Sequence, residues 1–118
     1  MGELVREHCQ PCDGSTPRLA AAEAAQLHVA LDSDWEISER VLRRRFQRPD
    51  FASAFTLGTG IALLAEREGH HPDLELGWGY LNVALTTHAA GGLTRNDFVL
   101  AAKIDRIASA PGRLGARP

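Results

Sequence analysis

The sequence predicts an α+β fold: one four-stranded antiparallel sheet with three helices on one face, in the order α-β-β-α-β-β-α. Three observations predict it. Three stretches carry apolar residues at helical spacing behind helix-start signals. Two pairs of short alternating segments lie between those stretches, each pair joined by a few residues, and so tight a connection requires antiparallel pairing. A sheet covered on one face by helices is the layered solution for that order. With 118 residues the chain can form one domain around a modest core.

Residues 1–15 read as an irregular lead-in. They contain Cys9 and Cys12, the only cysteines, with His8 beside them. A structural zinc needs about four ligands and no second Cys pair exists. A redox dithiol would normally open a helix after a strand. A plain N-terminal segment, weak metal binding and redox behaviour all remain open for this pair. Thr16-Pro17 can start the first helix, with Thr16 as N-cap and Pro17 at the first helical position. The alanine-rich run to Leu31 continues it, and Asp32-Ser33-Asp34 ends it.

Trp35 to Ser38 alternates, a turn near Ser38–Arg40 returns the chain, and Val41 to Phe46 forms the second strand. Leu42 and Phe46 fall on one side of it and Arg43 and Arg45 on the other. The Arg43-Arg44-Arg45 run reads as solvated or interface-facing arginines. Pro49-Asp50 opens a helix to about Gly69, a natural terminator, with Phe51, Ala54, Phe55, Gly58, Ile61, Ala62 and Ala65 as its apolar stripe. Gly58 and Gly60 would let a neighbouring element approach closely. Pro72 keeps His71 out of helix. Leu74 to Leu76 is a short strand, Gly77-Trp78-Gly79 a turn, and Tyr80 to Thr87 the clearest strand, with His88 at its end. Thr94 to Asp97 reads as a capping box for a last helix to about Ala108. One domain is expected over residues 16–110, and 111–118 reads as a flexible basic tail.

Composition excludes several classes. Hydrophobic residues make up 44% and charged residues 24%, ordinary for a soluble globular protein. Net charge is 13 − 15 = −2, so no nucleic-acid footprint is expected. No apolar run approaches the ~20 residues that span a bilayer. The N-terminus lacks the apolar core of a secretion signal, and a cytoplasmic location is expected.

The chemistry concentrates between Glu66 and Asp97, where His70, His71 and His88 lie among acidic residues. Histidine exchanges a proton near neutral pH, so three converging histidines make an acid/base site. Glu66 or Asp97 could orient a ring. Each residue also has a purely structural reading: His70 at a helix C-terminus, His71 in a loop, His88 at a strand edge, Asp97 as a helix cap. Three histidines and a carboxylate would suffice for zinc. Adjacent His70 and His71 tend to point apart, however, and no His-Glu-x-x-His spacing occurs, so no metal is expected.

The pattern Glu66-x-x-x-His70-His71-Pro72, then Trp78, Thr87-His88, Gly92-Leu93-Thr94, Asp97 and Leu100-Ala101 resembles the signature of pterin-4a-carbinolamine dehydratases. The likeness extends from about Glu7 to Ala108. Trp35, Phe46 and Phe51 stand where the family usually has aromatics, and the His8-Cys9 to Cys12 segment is similar to that of bacterial members. Arg48, followed by Pro49, departs from the second aromatic that many members carry. The resemblance implies the same α+β fold, a homodimer or homotetramer, and no cofactor, the pterin itself being substrate. It implies dehydration of 4a-hydroxytetrahydropterin to quinonoid dihydropterin in the pathway that recycles the cofactor of aromatic amino-acid hydroxylases. His70, His71 and His88 would line the pocket, with His70 and His88 moving protons and His71 touching the pterin. Glu66 would orient His70, Trp78 would wall the pocket, and Asp97 would serve more as a cap than as a catalyst. The family also includes relatives that assemble Rubisco in carboxysome-bearing bacteria, so a non-catalytic binding or assembly role is the alternative.

Overall fold

A computed structural model of the chain describes residues 2–12 and 15–109. Its elements are α1 (Gly2–Arg6), α2 (Ala21–Val29), β1 (Glu36–Ser38), β2 (Val41–Gln47), α3 (Phe51–Glu68), β3 (Asp73–Gly77), β4 (Tyr80–Leu85), a 3₁₀ turn (His88–Ala90) and α4 (Arg95–Ala108). The four strands form one sheet in the order β1-β2-β4-β3, antiparallel throughout. The predicted fold class is therefore the observed one, with a short helix added at the N-terminus.

The sheet's apolar face follows from strand alternation. Leu42 pairs with Leu85, Phe46 with Leu81, and Leu74 with Val83, so their side chains share one face. Helices α3 and α4 complete the core there with Leu57, Ile61, Leu64, Phe98, Leu100 and Ile104. Arg43 and Arg45 lie on the opposite face, as the alternation requires. Arg44 is on the core side, where its guanidinium meets Asp105 at 2.7 Å and stacks 4.3 Å from the Phe46 ring.

Helix α3 begins and ends as its sequence dictates. The Asp50 side chain accepts the Ser53 N–H at 2.8 Å, and Gly69 closes the helix at φ +68°. Its buried stripe is Ala54, Leu57, Gly58, Ile61, Leu64 and Ala65, whereas Phe51, Phe55 and Ala62 of the expected stripe lie exposed. The small residues set this phase, because Gly58 lets α3 settle onto Leu81 and Leu76.

Two expectations about the N-terminal third are corrected. Residues 1–15 are not wholly irregular: Gly2–Arg6 is helical and Leu4, 3% exposed, joins the core. Helix α2 starts at Ala21 rather than at Thr16-Pro17. The Leu19 N–H is held by the Leu93 carbonyl at 2.8 Å, and Glu23 reaches back to the Ala20 N–H at 2.9 Å. That fixed contact overrides the Thr-Pro start signal. The expected flexible tail, 111–118, lies outside the described residues.

The β1–β2 turn places both Glu39 (φ 52°) and Arg40 (φ 68°) in the left-handed region. A two-residue hairpin loop needs this geometry to match strand twist, and Asn or Gly suits it better than Glu or Arg. Glu39→Asn is expected to stabilise the fold by about 0.5 kcal/mol, raising Tm by roughly 2 °C in a thermal melt. An unchanged or lower Tm would show that the turn carries no strain.

Candidate active site

The left-handed turn at Gly69 determines where the histidines go. The Gly69 and His70 N–H groups both close on the Ala65 carbonyl, at 2.9 and 3.3 Å, and the chain leaves the axis of α3. His70 is thereby directed to the N-terminus of α4, where its Nε2 lies 2.6 Å from Asp97 Oδ1. The His70 side chain is 11% exposed and that of Asp97 is 0% exposed.

Asp97 occupies the third position of α4, behind the N-cap Thr94. Its Oδ2 accepts the Thr94 N–H at 2.9 Å and the Thr87 hydroxyl at 2.8 Å, and the two threonine hydroxyls lie 2.9 Å apart. Oδ2 is thus engaged by two donors, and Oδ1 is the oxygen that faces His70. An ionised carboxylate only accepts, so His70 Nε2 must carry the proton that bridges to Oδ1. The Nδ1 lone pair of His70 is then free of polar partners among the described residues. This arrangement defines the ring's tautomer and leaves Nδ1 as the atom able to accept a proton.

His71 points elsewhere. Its Nε2 lies 2.7 Å from Glu66 Oε2, with both side chains largely exposed. The expected Glu66–His70 pairing is thus replaced by two pairs, Glu66–His71 and Asp97–His70. The i, i+4 relation fails because Gly69 ends the helix before His70 can present itself on the Glu66 face.

His88 opens the 3₁₀ turn immediately after Thr87 and is exposed. Its ring has no polar partner among the described residues. Thr87 anchors it from behind, through the hydroxyl bond to Asp97 and a backbone bridge to Gly92 at 3.0 and 3.3 Å. His70, Asp97 and Thr87 are therefore linked directly, with His88 next along the chain.

Trp78 is not part of this cluster. It sits 72% exposed in the β3–β4 turn, beside the Gly77–Tyr80 pair, whereas His71 enters β3 at the Asp73–Ala84 end. Five strand residues separate the two ends, roughly 15 Å at about 3.3 Å per residue. Within one copy of the chain the hairpin carries Trp78, expected to wall the pocket, to the end of the sheet opposite His71.

Thr87 is the residue the motif reading undervalued. A signal for it exists in the sequence: the alternation Leu81, Val83, Leu85 continues to Thr87, which puts a hydroxyl on the buried face. Such a hydroxyl needs a partner, and Asp97 is within reach. Among the described residues no three His, Cys, Asp or Glu side chains are grouped as metal ligands would be.

Comparisons with known proteins bear on this geometry. The family model described as pterin 4 alpha carbinolamine dehydratase matches residues 17–107, which include every candidate site residue. A Rickettsia canadensis protein named "Putative pterin-4-alpha-carbinolamine dehydratase" is 41% identical over 106 residues, covering 89% of this chain and 97% of its own. A Methylococcus capsulatus protein of the same name is 41% identical over 108 residues, covering 90% and 94%. Among solved structures, a transcriptional coactivator/pterin dehydratase from Brucella melitensis superposes with TM-score 0.74 at 33% identity, over 78% of this chain and 99% of its own. A pterin dehydratase-like protein described as a RuBisCO assembly factor in the alpha-carboxysome shares the fold, with TM-score 0.54 at 23% identity over 64% and 88%.

Proposed function

The chain belongs to the pterin 4 alpha carbinolamine dehydratase family, and from that membership we propose that it converts a 4a-hydroxytetrahydropterin into quinonoid dihydropterin and water. The observation that carries the reading is the His70–Asp97 pair: a histidine with one nitrogen bonded to a fully buried carboxylate and the other free. Dehydration breaks the C4a–O bond and removes the N5 proton. The departing oxygen takes one proton and leaves as water, and a base takes the other. In this reading His70 Nδ1 accepts the N5 proton, the charge that develops on its ring being stabilised by Asp97. His88 donates to the departing oxygen, and His71, held by Glu66, contacts the pterin. No cofactor enters the reaction, since the pterin is the substrate.

Homodimers or homotetramers belong to the same reading. Phe51, Phe55 and Leu63 leave an apolar stripe exposed on the outer side of α3, a surface on which copies could associate. Trp78 would border a pterin only if a second copy brought it there. A cytoplasmic site of action is also part of the proposal; no described helix is long and apolar enough to cross a membrane.

The test follows consumption of 4a-hydroxytetrahydropterin, generated by an aromatic amino-acid hydroxylase, with and without purified protein. Wild type is expected to accelerate its loss well above the spontaneous rate, and His88→Ala to lose about a hundredfold of that acceleration. Wild-type loss at the spontaneous rate would instead favour a binding or assembly role on the same scaffold.

A further inference from the structure

The Cys-x-x-Cys segment has no part in the proposed reaction and lies wholly before the family-model match that starts at residue 17. It nevertheless grips the chain on both sides of the His70–Asp97 pair. Glu68, two residues before His70, is 7% exposed; it accepts the Cys9 N–H on Oε1 at 2.8 Å and lies 2.9 Å from His8 Nδ1 through Oε2. Lys103 Nζ stands 3.7 Å away and also donates to the Val5 carbonyl at 2.8 Å. Asn96, the residue before Asp97, is buried and pairs in both directions with the Gln10 backbone. The Gln10 N–H donates to Oδ1 at 2.9 Å, and Nδ2 donates to the Gln10 carbonyl at 2.7 Å.

Both sulfurs meet Asn96 as well. Its Nδ2 lies 3.0 Å from Cys12 Sγ, and the Cys9 thiol donates to its carbonyl at 3.6 Å. Next along, Arg95 forms two charge-assisted bonds to Glu7, at 2.7 and 2.6 Å. Cys9 is the hinge of this arrangement, its N–H held by the end of α3 and its thiol by the start of α4.

We propose that residues 7–12 are a strap that positions the acid/base pair, holding the end of α3 and the start of α4 at the separation that His70 and Asp97 require. Among the described residues the strap hydrogen-bonds neither His70 nor Asp97, so Glu68, Asn96 and the Gln10 backbone are positioning groups. The role absorbs both cysteines as hydrogen-bonding thiols. Burial first, then the nearby Glu68 and Asp97 charges, push the Cys9 thiol up to about 12, which keeps it protonated and able to donate.

The strap should loosen in acid. Hydrogen bonding to Arg95 holds the Glu7 carboxyl below its ordinary 4.5. Burial acts upward on Glu68, but the Cys9 N–H, His8 and Lys103 together outweigh it and lower that carboxyl too. A lowered folded value contributes stability that is present above the ordinary value and is lost as pH falls through the folded one. The protection factors of the Cys9 and Gln10 amides, measured against their intrinsic exchange rates at each pH, should therefore fall below about pH 4.5. Protection that persists undiminished well into acid would contradict these assignments.

The deciding experiment uses Asn96→Ala and Glu68→Ala, which release the strap at opposite ends, with Gln10→Ala as control. The Gln10 side chain bonds only the His8 carbonyl, at 3.2 Å, so the control keeps the backbone pairing. The readouts are the His70 ring signals by ¹⁵N NMR and the dehydration rate. Both released variants are expected to shift the His70 tautomer signals toward a mixture and to lower turnover by about tenfold, the control changing neither. Variants that fold and keep wild-type His70 signals would overturn the strap. If one variant does not fold, the other carries the test. The rate readout rests on the proposed reaction, but the NMR readout does not. A wild type without activity therefore sinks the proposed function and leaves the strap to be decided by the ring signals.

Discussion

Asp97→Asn is expected to lower dehydration turnover by two to three orders of magnitude while the protein stays folded, in line with the ~10²–10⁴ that a positioned acid/base group contributes. An asparagine there keeps an oxygen for the Thr94 N–H and the Thr87 hydroxyl, so the cap on α4 survives. Its amide NH₂ then faces His70 Nε2 and cannot accept a proton from it. The ring must turn a lone pair toward the amide, which moves its proton to Nδ1 and blocks the atom proposed to act as base. His70→Ala should cost about as much, and the double variant little more than either alone, because the two residues act as one unit. Kinetics of the four proteins check this. Independent, multiplying losses would show that Asp97 acts other than through His70.

Asp105→Ala should produce the largest loss of stability, about 2–3 kcal/mol, seen as a Tm lower by roughly 10 °C. Asp105 receives the Trp35 indole N–H and an Arg44 N–H, each at 2.7 Å. Burial pushes its carboxyl up despite those donors, so the ion pair fixes geometry more than it stabilises. Removing it leaves Arg44, 14% exposed, under the sheet with only Asp32 and Asp34 at 3.6 and 3.5 Å, and leaves the indole N–H without its acceptor. The penalty comes from the indole N–H left without its acceptor and from Arg44 losing its nearest carboxylate. Asp105→Asn retains an acceptor and should cost less than half as much. Equal losses for Ala and Asn would contradict this reading.

Much of the fold was legible because local signals and tertiary demands agree. Asp50 and Gly69 mark the ends of α3, and the alternation from Tyr80 to Leu85 names its own buried face. Thr16-Pro17 misled because a helix-start signal is weak beside a backbone bond to Leu93 seventy-odd residues away. Short Gly2–Arg6 has too few residues for periodicity to register, and only its packing on α4 makes it helical. In the site, the residue types and their neighbourhood were readable. The pairing was not, since a single left-handed glycine decides which histidine meets Glu66 and which meets Asp97. Asp97 looked like a cap from sequence because it is one. The same carboxylate uses its second oxygen on His70, and no local pattern encodes that.

The most direct test of the central claim measures the loss of 4a-hydroxytetrahydropterin in parallel for wild type, Asp97→Asn and buffer alone, with circular dichroism confirming the fold of the variant. The account predicts fast loss with wild type and loss close to the spontaneous rate with the variant. Wild-type protein no faster than buffer, or a folded variant as fast as wild type, would contradict it.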